Sequence, residues 1–204
     1  MAHLRKPLGA ALALNTVIVA VEAAAGFGSN SLSLIMDSVH NLSDELGLVF
    51  LWLAFVLPLG VSRGLVRSAN LFNSVGLIAA STLLLWEAAA RFLHPMPLAG
   101  WIPIAVGIAA AAGNWGVARL LRGPARENTA IRLCYLHNLG DVQVSLAPVA
   151  SGALVLATGS ATFDPLIAGA ISLWLIASTV REVLASGEQL IWPEKLGCGH
   201  PDER

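Results

Sequence analysis

With 204 residues, 56% of them hydrophobic and only 12% charged, the chain falls far below the roughly 25% charge of a soluble domain, so its solvent is a lipid bilayer. A net charge of -1 offers no basic surface for nucleic acid, and in a membrane protein the placement of Lys and Arg carries more than their sum. The two cysteines, Cys134 in an apolar stretch and Cys198 near the C-terminus, belong to distant regions and support no disulfide framework.

A hydrocarbon core about 30 Å thick takes about 20 mostly apolar helical residues to cross, and six stretches meet that need. The first, 8–27, follows a basic start, Met-Ala-His-Leu-Arg-Lys-Pro. That start resembles a signal peptide, but the apolar run is span-length and no small-residue cleavage site follows, so it reads as a transmembrane helix. It ends at Gly28-Ser-Asn-Ser31, and the second span, 32–57, stops at Pro58-Leu-Gly60. The third, 68–93, closes at His94-Pro-Met-Pro97; the fourth, 98–121, is broken by Arg122-Gly-Pro124. Within the fourth, the small residues from Ala109 to Gly113 read as close helix packing. The fifth, 129–157, precedes Thr158-Gly-Ser160, and Asp164 as N-cap with Pro165 at the first helical position opens the sixth, 164–185. The tail 189–204 is too short for a domain of its own. The expectation is an all-α polytopic membrane protein, with one six-helix transmembrane domain over 1–188 and a short cytoplasmic tail.

Counted on alternate sides of six spans, Arg5, Lys6, Arg63, Arg67, Arg119, Arg122, Arg126, Arg132, Arg181, Lys195 and Arg204 share one side, and Arg91 alone takes the other. Such a bias places both termini in the cytoplasm. Trp52, Trp86, Trp101 and Trp192 fall near span ends, as interfacial anchors do.

Ionisable side chains at bilayer depth cost at least about 2.5–3.5 kcal/mol each, so those present need a reason. The second span holds Asp37, His40, Asp44 and Glu45; the fifth holds His137 and Asp141. His40 and Asp44 are four apart, as are His137 and Asp141, which stacks an imidazole and a carboxylate on one face of each helix. The segments His40-Asn-Leu-Ser-Asp44 and His137-Asn-Leu-Gly-Asp141 agree at four of five positions. A lone membrane histidine reads first as a helix–helix hydrogen-bonding group; the matched pair reverses that reading. On antiparallel spans, His40, Asp44, His137 and Asp141 can converge as an N2O2 set suited to tetrahedral Zn²⁺. Imidazole ligands favour Zn²⁺ or Co²⁺, with Cd²⁺ alongside, over Mg²⁺ and Ca²⁺. Asp37 is assigned a supporting or pathway role, orienting an imidazole through its free N–H. Asn41 and Asn138 point about 100° away from the ligands and read as bonds between helices. Glu22 and Glu45 either pair with polar neighbours or line a vestibule, Glu87 and Arg91 form a helix-end ion pair, and Cys134 reads as a small hydrophobe. Cys198 and His200 belong to a terminal tail.

On these residues the chain resembles the cation diffusion facilitators, a family of proton-coupled exporters of zinc and related metals. The matching features are Asn15 and Glu22, Ser29 to Leu34, Asp37-Ser-Val-His40 with Asp44, Glu87 with Arg91, His137, Asp141 and Ser145, and Asp164-Pro165. The resemblance covers essentially the whole sequence. It implies that the two HxxxD motifs bind the transported ion, Zn²⁺ first, and that the protein exports it from the cytoplasm of a bacterial cell in exchange for protons. Alternating access, a homodimer and a multi-pass place in the inner membrane come with it. Most members continue into a cytoplasmic C-terminal domain that binds regulatory metal and helps dimerise them; this sequence stops before such a domain. The loop 122–128 also lacks the His-rich run of some members.

Two other functions compete. An intramembrane metal-dependent hydrolase would keep an open zinc position and a general base, whereas four ligands are available and no His-Glu-x-x-His motif occurs. A structural membrane subunit would use the His/Asp pairs only to join helices, and would bind no metal.

Overall fold

The computed structural model describes residues 2–56 and 59–191, and every regular element among them is helical. α1 (Ala2–Ser29), α2 (Leu32–Val56), α3 (Leu59–Leu93), α4 (Trp101–Leu121), α5 (Thr129–Val144), α6 (Leu146–Thr158) and α7 (Phe163–Ile191) follow in order, with one 3₁₀ turn at Pro124–Arg126. Leu57, Pro58, Trp192, Lys195, Cys198, His200 and Arg204 lie outside the described residues. Of the expected tail, residues 189–191 belong to α7 and the rest lies outside as well.

Among the described residues, five stretches are long and apolar enough to cross a membrane: Leu4–Ser29, Ser74–Leu93, Trp101–Leu121, Cys134–Thr158 and Phe163–Arg181. The 25-residue α2 is not among them, and it is the helix that carries Asp37, Asp44 and Glu45. It touches every other α-helix, so its polar face meets protein. α3 begins ahead of the span expected from 68, and α7 continues past 185. Hydropathy marks where hydrocarbon ends, while a backbone helix continues into the polar layer. The expected fifth span is one apolar stretch, Cys134–Thr158, made of α5 and α6 with Ser145 between them. Pro148 has no N–H for the Val144 carbonyl and its ring crowds that turn, so the helix is interrupted there while Ser145 keeps helical dihedrals (φ -65°, ψ -10°).

α1 and α2 form a hairpin, α4 packs along α1 and along α5 and α6, and α3 pairs with α7 beside α2. The polarity is inside out relative to a soluble protein. Asn15, Glu22, Asp37, Asn41, Asn114 and Asp141 are buried, while Phe27, Leu83, Trp86 and Leu184 face outward. The α1–α4 contact is close enough that a Cβ on Gly113 would stand 2.7 Å from Ile18 Cδ1, as small-residue packing in membranes requires. At the end of the bundle holding the N-terminus, Leu4, Leu8, Leu48, Val117, Leu121 and Ile131 form an apolar core, with Trp52 and Cys134 packed against it. Trp52 therefore turns inward, while Trp86 and Trp101 are exposed.

The other end is fastened by charge and caps. α1 closes with Asn30 in the left-handed conformation (φ 62°). The Ser31 N–H donates to Gly26 O at 3.0 Å and the Asn30 N–H to Phe27 O at 3.4 Å, a Schellman pattern. Arg91, paired with Glu87 at 2.7 Å, donates from Nη1 to the Asn30 carbonyl at 2.9 Å, placing a cation at the negative end of α1.

Asp164 does not cap α7, as its local sequence implies; it lies within the first turn of that helix. Its carboxylate instead accepts the backbone N–H groups of Leu32 and Ser33, which open α2, and the hydroxyls of Ser31, Ser33 and Ser151. One buried side chain thus ties α7 to α2 and α6. Removing it strands several buried donors, each worth about 1–3 kcal/mol. Asp164→Ala is expected to lower unfolding stability in detergent by about 3 kcal/mol, and Ser33→Ala by about 1 kcal/mol; equal, small losses in denaturant titrations would contradict this hub.

Candidate metal centre

α2 and α5 each carry one imidazole and one carboxylate a turn apart, and the fold brings all four together. One ligand atom from each of His40, Asp44, His137 and Asp141 lies within 4.8 Å of the others. The contacts are crossed: His40 Nε2 meets Asp141 Oδ1 at 3.2 Å, and His137 Nε2 meets Asp44 Oδ1 at 2.7 Å. Crossing of this kind belongs to helices that run in opposite directions. Within each helix, His40 stands 3.7 Å from Asp44 and His137 3.8 Å from Asp141. A tetrahedral ion about 2.0–2.2 Å from each ligand sets ligand–ligand separations of about 3.3–3.6 Å. The four distances bracket that range, so small side-chain shifts convert the hydrogen-bonded set into a coordination shell.

Burial is uneven. The side chains of His40, Asp44 and Asp141 are 4–8% exposed, whereas that of His137 is 54% exposed. The cluster therefore opens on its His137 side. Trp174 of α7, itself half exposed, lies beside the cluster with its ring centroid 6.5 Å from that of His40 in an edge-on arrangement. No sequence spacing links Trp174 to the motifs; only the packing of α7 on α2 brings it there.

The remaining polar residues sort by distance from this set. Asp37 is fully buried beside Glu22 and Ser145, and no hydrogen bond joins it to the His40 ring. Asn41 does bond across helices, donating to Glu22 at 2.8 Å and accepting from Asn114 at 3.3 Å. Asn138 does not: its amide donates to the Cys134 carbonyl of its own helix at 2.9 Å. Its side chain turns back along α5, where a carbonyl one turn earlier is the nearest acceptor. Glu45 takes a hydrogen bond from Thr16 of α1. Asn114, a lone amide in the Ala- and Gly-rich α4, also donates to Ser145 Oγ at 3.1 Å.

The break after α5 lies one turn beyond Asp141, and Ser145 N–H still bonds Asp141 O at 2.9 Å. α4 presses on that break. A Cβ on Gly107 would lie 2.9 Å from Ser145 O and 2.8 Å from Val149 Cγ2, so glycine permits the contact that positions the end of α5.

A model of the cation efflux transmembrane domain matches residues 8–191. The chain belongs to the cation efflux family. It is 30% identical over 180 residues to the zinc transporter ZitB of Escherichia coli, covering 84% of this chain and 58% of that protein. It is likewise 30% identical over 169 residues to the cadmium, cobalt and zinc/H(+)-K(+) antiporter of Bacillus velezensis, covering 78% of this chain and 54% of the relative. The chain thus spans little more than half the length of these cation efflux relatives. The family match is to a cation efflux domain and lends the hydrolase no support.

Gly107→Ala is expected to cost about 1–3 kcal/mol through overpacking and to disturb the α5 ligands with it. Unfolding and Zn²⁺ titration on the same preparation check this; unchanged stability and affinity would show that the break tolerates displacement.

Proposed function

We propose that the protein is an efflux transporter for divalent transition metals, Zn²⁺ foremost with Cd²⁺ and Co²⁺ as further substrates, exchanging metal for protons by alternating access. The convergence of His40, Asp44, His137 and Asp141 within 4.8 Å carries the proposal. Two imidazole nitrogens and two carboxylate oxygens suit Zn²⁺ over Mg²⁺ or Ca²⁺, which prefer all-oxygen shells. The names of the family relatives, a zinc transporter and a cadmium, cobalt and zinc antiporter, agree with that chemistry.

Exchange follows from the ligands themselves. An imidazole must be unprotonated to bind a metal, so loading the ion releases protons at the same atoms. With an ordinary pKa of about 6.5, histidine is emptied and refilled near neutral pH. Facing the cytoplasm, neutral His40 and His137 take Zn²⁺ with Asp44 and Asp141; facing outward, protons compete for the imidazoles and the ion leaves. The inner membrane of a bacterial cell, cytoplasmic termini and a homodimer complete the proposal, with the six spans in one domain.

The sign of the pH effect is fixed. Acidification favours protonated over metal-bound imidazoles, so Zn²⁺ affinity is expected to fall as the pH is lowered. In proteoliposomes offered Zn²⁺, Cd²⁺, Co²⁺, Mn²⁺ or Fe²⁺ in turn, Zn²⁺ flux should respond to an imposed pH gradient and fall at least about 100-fold in His40→Ala or Asp141→Ala. Flux indifferent to the gradient would refute proton exchange. Zinc binding undiminished in Asp44→Ala would return the pairs to the structural-subunit role.

A further inference from the structure

A second buried polar cluster lies between α1, α2, α4 and the break that follows α5, sharing no side chain with the His/Asp set. Glu22 and Asp37 stand side by side with no exposed surface. Asn15, Asn41, Asn114 and Ser145 surround them, each at most 1% exposed.

The amide donors are turned mostly toward one another and toward Glu22. Asn41 Nδ2 donates to Glu22 Oε2 at 2.8 Å, Asn15 Nδ2 to the Asn41 carbonyl at 3.1 Å, and Asn114 Nδ2 to Asn41 Oδ1 at 3.3 Å and Ser145 Oγ at 3.1 Å. Several of the acceptors are left over. Asn15 Oδ1, Glu22 Oε1, Asn114 Oδ1 and both oxygens of Asp37 make no hydrogen bond of good geometry. The charged groups that bear on Asp37 are Glu22, His40 and Asp141, and no lysine or arginine is among them. A buried surplus of oxygen acceptors around two carboxylates is stabilised by positive charge brought from outside the chain.

Ser145, the residue between α5 and α6, also faces Asp37.

We propose that Glu22, Asp37, Asn15, Asn114 and Ser145 form a second cation site, built from oxygen ligands alone, that takes a hard alkali or alkaline-earth cation and not the transition metal. Carboxylate, amide and hydroxyl oxygens without imidazole or thiolate select hard ions. Asp37 lies three residues before His40 on α2, so charge at one site repels charge at the other, and the two ions oppose each other's binding reciprocally.

The test uses the purified full chain in detergent, with choline chloride replaced at constant ionic strength by NaCl, KCl, MgCl2 or CaCl2. At least one of the four is expected to raise the unfolding temperature saturably by about 5 °C, and to weaken Zn²⁺ binding several-fold. Glu22→Gln and Asp37→Asn should abolish the rise, while His40→Ala should keep it. If Glu22→Gln does not fold, Asn114→Ala serves, shifting the half-saturating cation concentration at least about tenfold. No difference from choline, or a rise that persists undiminished in these variants, overturns the site whatever becomes of the zinc proposal.

Discussion

A carboxylate or an imidazolium held inside a membrane bundle survives only if a countercharge or a hydrogen-bonding partner is within reach. In this protein the crossed pairing of His40 with Asp141 and His137 with Asp44 meets that need across the α2–α5 interface. The pairing that makes these groups tolerable also leaves them poised as ligands. Each contact sits near the separation that coordination around one ion demands, so the set holds together by hydrogen bonds or by metal with little rearrangement. A group stabilised by a partner that can be exchanged for an ion is what a carrier requires. A purely structural pair would gain nothing from converging four such groups on one point.

Much of the remaining architecture holds α2 and α5 in register. Asp164 fixes the start of α2 by accepting its first backbone N–H groups from another helix, so the height of His40 and Asp44 in the bundle depends on α7. Pro148 ends α5 one turn past Asp141, and the bare Cα of Gly107 lets α4 bear on that point. Below the cluster, the apolar contacts of Leu8, Leu48, Leu121 and Ile131 keep α1, α2, α4 and α5 together.

The cluster of His40, Asp44, His137 and Asp141 was legible in the sequence because membranes make it so. An ionisable residue at depth is rare, a spacing of four puts two on one face, and the repeat of His-Asn-Leu-x-Asp on a second span has no competing physical account. Interactions spanning many residues were not legible. The residues around Asp164 read as a local N-cap, yet its partners lie 132 residues earlier at Leu32, and no periodicity reports that. Trp174 beside His40 is the same kind of fact. The break at Ser145 was visible as Pro148, but hydropathy runs through it unbroken, so counting apolar residues joined α5 and α6 into one span. Asn41 and Asn138 occupy equivalent motif positions and behave differently because only Asn41 has Glu22 and Asn114 opposite it. Local sequence states what a side chain offers, and packing decides which offers are taken.

Unequal burial of the four ligands orders the chemistry. His137 is the open member, while His40, Asp44 and Asp141 sit behind it with Trp174 beside His40. On the proposed function, an ion arriving from the open side meets an imidazole first, and Asp44, hydrogen-bonded to that imidazole, becomes available as the bond is given up. Loading is then a series of exchanges of a proton or a hydrogen bond for metal, each of modest cost, in place of one large desolvation. In the same proposal the exposed histidine governs access, and the three buried groups govern how tightly an ion is held.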